Sequence, residues 1–433
     1  MLDIKFIKNN QEAIKENLKK RNLEVRVPIL KQLILDYNKS LNIKKELDEL
    51  RHRRNIISEE INKLKKENKD ISELLGEAKS IPIKISSFKE EYTKLNNDIK
   101  VNLAQIPNII HKSVPLGKDA SQNKVVKKRG KIPKFKFKVK NHVELAESLD
   151  VADFDSSADV SGNGFYYLKG DLALLNQALI RFTIDYLLKK GYEYIEPPLM
   201  IRKRIAEAAE DYEAFKNKIY KVEGEDLHLI PTSEHAILGI MVNRTVPEEK
   251  LPLKFFSYSM CFRKEVGSHG INEKGLWRTH QFNKVEQFIF CKPEDSWKYY
   301  EELQKNSEEL YKKLKLPYRI FESCSGDLGL WKAKGSDLEV YRPTTRKYEE
   351  VGSLSNCTDY QARDLNIKYI NKNGEKRIVH TLNNTAIATS RAMVVILENY
   401  QQKDGSIKIP KVLQRYIDKK EIKNEKNSRR KRH

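Results

Sequence analysis

At 433 residues, with 33% charged and 39% hydrophobic side chains, the chain exceeds what one hydrophobic core usually organises, so two domains are the starting expectation. Its 82 Lys and Arg against 61 Asp and Glu leave a net charge of +21, which points to a polyanionic partner such as nucleic acid, with a Lys-rich host composition as the plainer alternative. No apolar run approaches the roughly 20 residues of a membrane span, MLDIKFIKNN lacks a signal or transit pattern, and Cys261, Cys291, Cys324 and Cys357 form no CxxC pair; together these favour a cytoplasmic, reducing location and no membrane partner.

In chain order, Ile43, Leu47, Leu50, Ile57, Ile61 and Leu64 follow a 4-3 spacing, with Arg54 in the one polar slot. After a break at residues 68–70, Leu74, Ala78, Ile81, Ile85, Phe88, Tyr92, Leu95 and Ile99 repeat it. The two runs predict an antiparallel two-helix coiled-coil arm over about residues 29–105, each limb roughly 50 Å long at about 1.5 Å per residue. Pro82 is expected to kink or restart the second limb. Such arms often serve oligomerisation, but one whose seam is already satisfied is free to present a basic outer face. Residues 1–110 thus read as an N-terminal nucleic-acid-binding domain. The Pro-, Gly- and Lys-rich stretch 111–140 reads as a basic linker.

From 141 to 418 the pattern is that of a mixed domain. Leu174 to Gly191 suits an amphipathic helix with a glycine cap. Strands follow at YEYIEPPLM, LHLIPT, KFFSYSMCFRKE, QFNKVEQFIFC, DLEVYRP and YEEVGSLSN, and Thr389 to Gln401 closes the core as a helix. Hairpins between helices predict an α+β fold, an antiparallel sheet with helices on one side. Residues 419–433, ending NSRRKRH, read as a disordered basic tail.

The segment from Cys261 to Phe288 carries the chemistry. On a strand, Arg263 and Glu265 share one face, as do Phe282, Lys284 and Glu286 on the returning strand. A hairpin then brings guanidinium, carboxylates and a flat ring together: bidentate phosphate binding, a hydrogen-bond acceptor and a base-stacking surface. Neither GxxxxGK[ST] nor GxGxxG occurs, so a P-loop or dinucleotide fold is unsupported. An exposed hairpin with ordinary cross-strand salt pairs is the plainer alternative.

FRKE, a glycine-containing loop and GLWRTHQFNKVE resemble motif 2 of the class II aminoacyl-tRNA synthetases, in the version of the seryl-tRNA synthetase family. Gly191 to Met200 resembles motif 1 and Asn383 to Gln401 motif 3. Leu229 to Glu234 and Glu349 to Tyr369 look like seryl-specific segments, and Ile106 to Asp119 resembles the family's junction between arm and catalytic domain. The ordered likeness spans residues 1–416. HTLNNTAIATSR and the ending DGSIKIPKVLQRY look most like the archaeal branch. TTRK (Thr344 to Lys347), KGSD (Lys334 to Asp337) and the loop GSHGINEK look less typical, which puts the loop's acceptor contacts in doubt.

The resemblance implies a class II sheet flanked by helices and a homodimer with motif 1 at its interface. It implies serine–tRNA ligase activity: L-serine and ATP give seryl-adenylate, and the seryl group passes to tRNA(Ser), held by the basic arm, with tRNA(Sec) a further acceptor left open. Carried over position by position, Arg263, Glu265, Arg278, Thr279, Phe282, Glu350, Ser353 and Arg391 bind ATP. Arg263, Glu265 and Arg391 act in catalysis, and Glu350 and Ser353 hold Mg²⁺ with the nucleotide. Thr232, Glu234, Glu286, Thr385 and Asn383 surround the serine. His280, His111 and His235 are expected to be structural.

Other readings remain on residues alone. A ligase that loads a carrier protein should lack the basic hairpin; a non-catalytic RNA-binding relative should lack Arg263, Glu265, Glu286 or Arg391, all present. A coiled-coil scaffold accounts only for residues 29–105.

Overall fold

The computed structural model describes residues 1–266 and 274–424. Most of the loop GSHGINEK and residues 425–433 of the expected tail lie outside the described residues. The chain divides into two compact units, Met1–Pro107 and Asn108–His433.

In the first unit, helices α1 (Val27–Lys66) and α2 (Ser72–Ala104) pack along each other. Ile43, Leu47 and Ile57 are buried on one limb and Ile81, Ile85, Leu95 and Ile99 on the other. The reversal uses Asn68 at φ +52°, after which the Asp70 carboxylate accepts hydrogen bonds from Ser72 N (2.9 Å) and Oγ (2.6 Å). Two expectations are corrected. Arg54 is exposed, and the polar seam position belongs to Arg53, whose Nε and Nη2 donate across the hairpin to Glu77 at 2.8 and 2.7 Å. Helix α2 also continues through Pro82 without restarting.

The second unit is built on one sheet. Strands β1 (Lys124–Arg129), β2 (Glu193–Tyr194), β3 (Leu253–Phe262), β4 (Gln281–Cys291), β5 (Tyr318–Glu322), β6 (Lys334–Arg342), β7 (Lys347–Thr358) and β8 (His380–Ala388) lie in the order β1-β5-β6-β7-β8-β4-β3-β2. Every neighbouring pair is antiparallel except β2 with β3. Pro197 and Pro198 cannot donate to a ladder, so the strand expected over YEYIEPPLM shrinks to Glu193–Tyr194 and a separate Met200–Ile201.

Alternation along β4 sorts residues between the sheet's faces. Val285 and Ile289 enter the core beneath helices α3 (Gly170–Lys189), α4 (Ser296–Lys313) and α5 (Thr389–Tyr400). Gln287 joins them, accepting from Asn306 Nδ2 (2.8 Å) and donating to Asn384 Oδ1 (2.9 Å). Phe282, Lys284 and Glu286 face the other way.

The expected linker and tail are both shorter than their composition suggested. Within 111–140, Lys124–Arg129 is the edge strand β1, paired with β5; a lysine-rich strand suits an edge because its charges discourage further pairing. Within 419–433, Glu421–Ile422 pairs with Ile407–Lys408, Ile422 is buried, and Lys419 Nζ reaches Asp171 at 2.6 Å.

Candidate active site

Strand β3 ends at Phe262, so Arg263 and Glu265 do not share a strand face as the alternation suggested. Glu265 instead adopts φ +50°, a left-handed conformation that costs about 1 kcal/mol or more in a non-glycine residue and concentrates at functional sites. The turn delivers both side chains to one place regardless. Arg263 is pinned by its N–H to His280 O (2.9 Å) and its Nε to Pro231 O (3.2 Å), with its guanidinium 5.3 Å from the Phe282 ring centre. Glu265 accepts from Arg278 Nη1 at 2.9 Å, and the buried Thr279 hydroxyl donates to Gln281 O.

From the opposite side come β7 and α5. Arg391 donates to Glu350 O at 2.8 Å and stands 3.4 Å from its carboxylate. Shelter in the cleft pushes the Glu350 carboxyl up, but Arg391 and Arg263 outweigh it and hold it below its ordinary value. Asp337, opposite Ser353 in the sheet, is pushed up by burial and by the Glu350 charge. Arg263, Glu265, Arg278, Thr279, Phe282, Glu350, Ser353 and Arg391 all line this cleft, floored by Trp277.

A second pocket adjoins it, lined by Thr232, Glu234, Glu286 and Asn383 together with Glu210, His235 and Lys332. Glu286 is opposite Thr385 in the β4–β8 register; Thr385 Oγ1 lies 3.2 Å from Glu286 Oε2 and lines the cleft. Glu234 Oε1 accepts from Asn383 Nδ2 (2.9 Å) and Gln361 Nε2 (3.0 Å). Between the carboxylates sits buried Lys284, its Nζ 2.8 Å from Glu286 Oε2 and 2.6 Å from Thr232 Oγ1. Burial and then the Glu286 charge push the Glu234 carboxyl up to about 7. Burial and then Glu234 push Glu210 to about 8. His235, 3.4 Å from Glu210, is pulled down to about 3 by burial, Lys284 and Arg263, so it is a neutral core imidazole at pH 7. Arg263, Lys284 and Ser353 line both cavities.

All thirteen candidate positions therefore converge on these two joined cavities. Lys284, Glu210, Lys332 and Gln361 were missed as site residues. For Lys284 the signal was present, since it alternates with Phe282 and Glu286, and Gln361 lies inside the seryl-specific stretch Glu349 to Tyr369; Glu210 lies far from any motif. His280 accepts no catalytic position: Nδ1 is 2.8 Å from Arg263 O and 3.0 Å from Tyr220 Oη, and its ring stacks on Phe165 at 5.2 Å. His111 packs on Trp297 at 4.0 Å.

Comparison with known proteins gives the family. Residues 1–110 match the family described as the seryl-tRNA synthetase N-terminal domain, and residues 215–400 match the tRNA synthetase class II core domain (G, H, P, S and T). A serine–tRNA ligase of Methanospirillum hungatei is 47% identical over 98% of this chain and 100% of its own length. Among solved structures, seryl-tRNA synthetase from Pyrococcus horikoshii complexed with ATP superposes with a TM-score of 0.90 at 43% identity, covering 98% of this chain and 100% of that one. The cytoplasmic serine–tRNA ligase of Naegleria fowleri in complex with AMP gives 0.84 at 32% identity, over 98% and 99%. By its sequence over nearly its whole length and by its fold, the chain belongs to the seryl-tRNA synthetase family of class II aminoacyl-tRNA synthetases.

Proposed function

We propose that the chain activates L-serine with ATP and transfers the seryl group to the 3′ end of tRNA(Ser). The observation that carries this reading is the wall common to the two cavities. Arg263, Lys284 and Ser353 border both, so a small amino acid in the acidic pocket meets a nucleotide phosphate in the cleft beside a guanidinium.

In this reading ATP occupies the cleft. Phe282 offers the adenine a face, the backbone at Thr279 fixes its edge, and Arg263 holds the α-phosphate, with Arg278 and Arg391 on the remaining phosphates. Glu265, paired with Arg278, orients that guanidinium and meets the nucleotide. Serine enters the pocket with its ammonium toward Glu234, Thr232 and Asn383 and its hydroxyl toward Glu286 and Thr385. The serine carboxylate attacks the α-phosphorus in line and pyrophosphate leaves; a terminal ribose hydroxyl of tRNA then attacks the seryl-adenylate carbonyl, the bond from that carbonyl carbon to the phosphate oxygen breaks, and AMP leaves. No protein nucleophile is required, because positioning and neutralisation of spreading negative charge supply the catalysis. Arg263 and Arg391, on either side of the cleft, are the cations for that task.

The residues present also fit magnesium. Glu350, 46% exposed at the cleft wall, and Ser353 are hard oxygen donors with room for water and phosphate oxygens, the shell that Mg²⁺ prefers. They would hold the ion, which when bound neutralises phosphate charge. Discrimination against alanine follows from burial. Glu286 and Thr385 are 1% and 7% exposed, and a buried pocket built to hydrogen-bond a substrate hydroxyl rejects the analogue lacking it, by roughly 10⁴-fold in favourable cases.

Two further elements complete the reading. The basic hairpin of the first unit grips tRNA by phosphate and shape. The sheet end at β2, with Leu199 and Met200 38% and 45% exposed, supports a homodimer contact through motif 1. The test is ATP–pyrophosphate exchange with each of the twenty amino acids. Serine-dependent exchange alone is the expected result. Exchange with a different amino acid would overturn the pocket assignment of Glu286 and Thr385, and none at all from folded protein with Mg²⁺ would favour a non-catalytic RNA-binding role.

A further inference from the structure

We propose that residues 124–140 form an RNA-backbone-binding rail on the catalytic unit, a second polyanion site in addition to the helical hairpin. Nine of its seventeen residues are Lys or Arg and none is acidic. Elsewhere the chain's cations are commonly matched: Lys39 with Glu91, Lys254 with Glu302, Arg342 with Glu398. Here, among the described residues, only Lys127 has an ion pair, to Glu308 at 2.7 Å. The remaining charge is uncompensated.

The rail is also ordered in advance. After β1, Gly130 turns the chain at φ +84° against Pro317. The chain then bends at Lys136 and Phe137, with Lys134, Lys136, Lys138 and Lys140 exposed and Phe135, Phe137 and Val139 half-buried between them. The two phenylalanine rings meet edge to face at 5.3 Å. Gln401 clamps the far end, accepting from Lys140 N at 2.9 Å and donating to Lys140 O at 3.0 Å. The ammonium groups are exposed, and a backbone fixed at Gly130 and at Lys140 has less entropy to lose on binding.

Position connects the rail to the cleft. Lys128 pairs with Arg319, Arg319 with Glu339 and Glu339 with Glu350 in successive strand registers, so Lys128 and Glu350 share one sheet face about 14 Å apart. RNA lying along this edge is on the side where the acceptor end must arrive. The chemistry selects a phosphate backbone and reads no bases.

The test uses the full-length chain with Lys134, Lys136, Lys138 and Lys140 all changed to Ser, and a parallel variant with all four changed to Arg. Binding of a tRNA(Ser) transcript is measured by anisotropy from about 50 to 200 mM salt. Losing four phosphate contacts should make the log–log salt slope shallower by about 3, so that the fourfold rise in salt weakens the Ser variant roughly 60-fold less than the parent. The Arg variant should keep the parent slope, and both should keep serine-dependent pyrophosphate exchange. A Ser-variant slope within about 0.5 of the parent, or an Arg variant that loses slope equally, would overturn the rail. This proposal adds to the ligase reading without depending on the serine pocket: absent exchange in the parent chain would sink that reading, while the rail would be decided by the slopes alone.

Discussion

Replacing Glu234 by Gln should make the protein more stable and less active, in a manner that depends on pH. The Glu234 carboxyl is raised from 4.5 to about 7 by burial and by Glu286. A group with a raised folded-state value binds its proton more tightly folded than unfolded. Its favourable contribution is therefore full below the unfolded value and is lost as pH rises through 7. A shift of about 2.5 units at about 1.36 kcal/mol each sets the loss near 3 kcal/mol. Gln cannot ionise, and its amide oxygen can still accept from Asn383 and Gln361, which meet Glu234 Oε1 at 2.9 and 3.0 Å. The Glu234→Gln protein should come within about 1 kcal/mol of the parent at pH 5 and exceed it by about 2–3 kcal/mol at pH 8.5, or about 5 °C in Tm. All three tryptophans, Trp277, Trp297 and Trp331, belong to the catalytic unit, so urea unfolding followed by fluorescence reports on that unit. In exchange assays at pH 8 the serine KM should rise about 10- to 100-fold, since a charged hydrogen bond to the ammonium is worth about 1.5–3 kcal/mol. A variant no more stable than the parent at pH 8.5, or equally stabilised at pH 5, would refute the assignment of Glu234 as a costly, functional carboxylate.

Lys284→Met leaves Glu286 buried without its cation 2.8 Å away and should cost about 3–5 kcal/mol by urea midpoint, most of it recovered in the Lys284→Met/Glu286→Gln double variant; additive losses would show the pair to be uncoupled. Burial pushes the Glu398 carboxyl up, but His142, Arg342 and Thr344 outweigh it and hold it at about 2. This depressed value gives stability that is present above pH 4.5 and lost as pH falls through about 2, so Glu398→Gln should cost about 3 kcal/mol at pH 7 and much less near pH 3, with serine KM unchanged. Arg53→Ala should leave thermal unfolding almost unchanged, because Arg53 and Glu77 are 43% and 38% exposed and water screens the pair; a clear drop in Tm would show the pair to be structural.

Much of this architecture can be read from the residues alone, and the failures share a cause. Long 3.5-residue periodicity places both limbs of the hairpin, and two-residue alternation in QFNKVEQ places Phe282 and Glu286 on one face. The slot at Arg54 went wrong by one residue because a seam tolerates either neighbour when the side chain is long enough to bridge, as Arg53 does to Glu77. Lys124–Arg129 and Lys419–Asn424 look like solvated chain by composition, yet a backbone ladder to Tyr318–Glu322 and to Ile407–Lys408 holds them. Backbone hydrogen bonding leaves little compositional trace. Glu265 shows the reverse case: its destination was right although a left-handed turn, and not strand geometry, takes it there. Glu210 reaches the pocket only through tertiary folding, which no local spacing announces.

Strand β4 has one further consequence. From Phe282 to Gln287 its odd and even positions serve two masters: Phe282, Lys284 and Glu286 face the cavities, while Val285 and Gln287 face the helices. Chemistry and scaffold are thus interleaved in one short sentence of sequence. Deleting a single residue upstream within the strand would exchange them, driving charges into the core and apolar groups into the cavities. This stretch can vary by substitution but not by changes in length. Past Gln287 the constraint relaxes into pure packing, because Phe288 and Phe290 are also core on the front face.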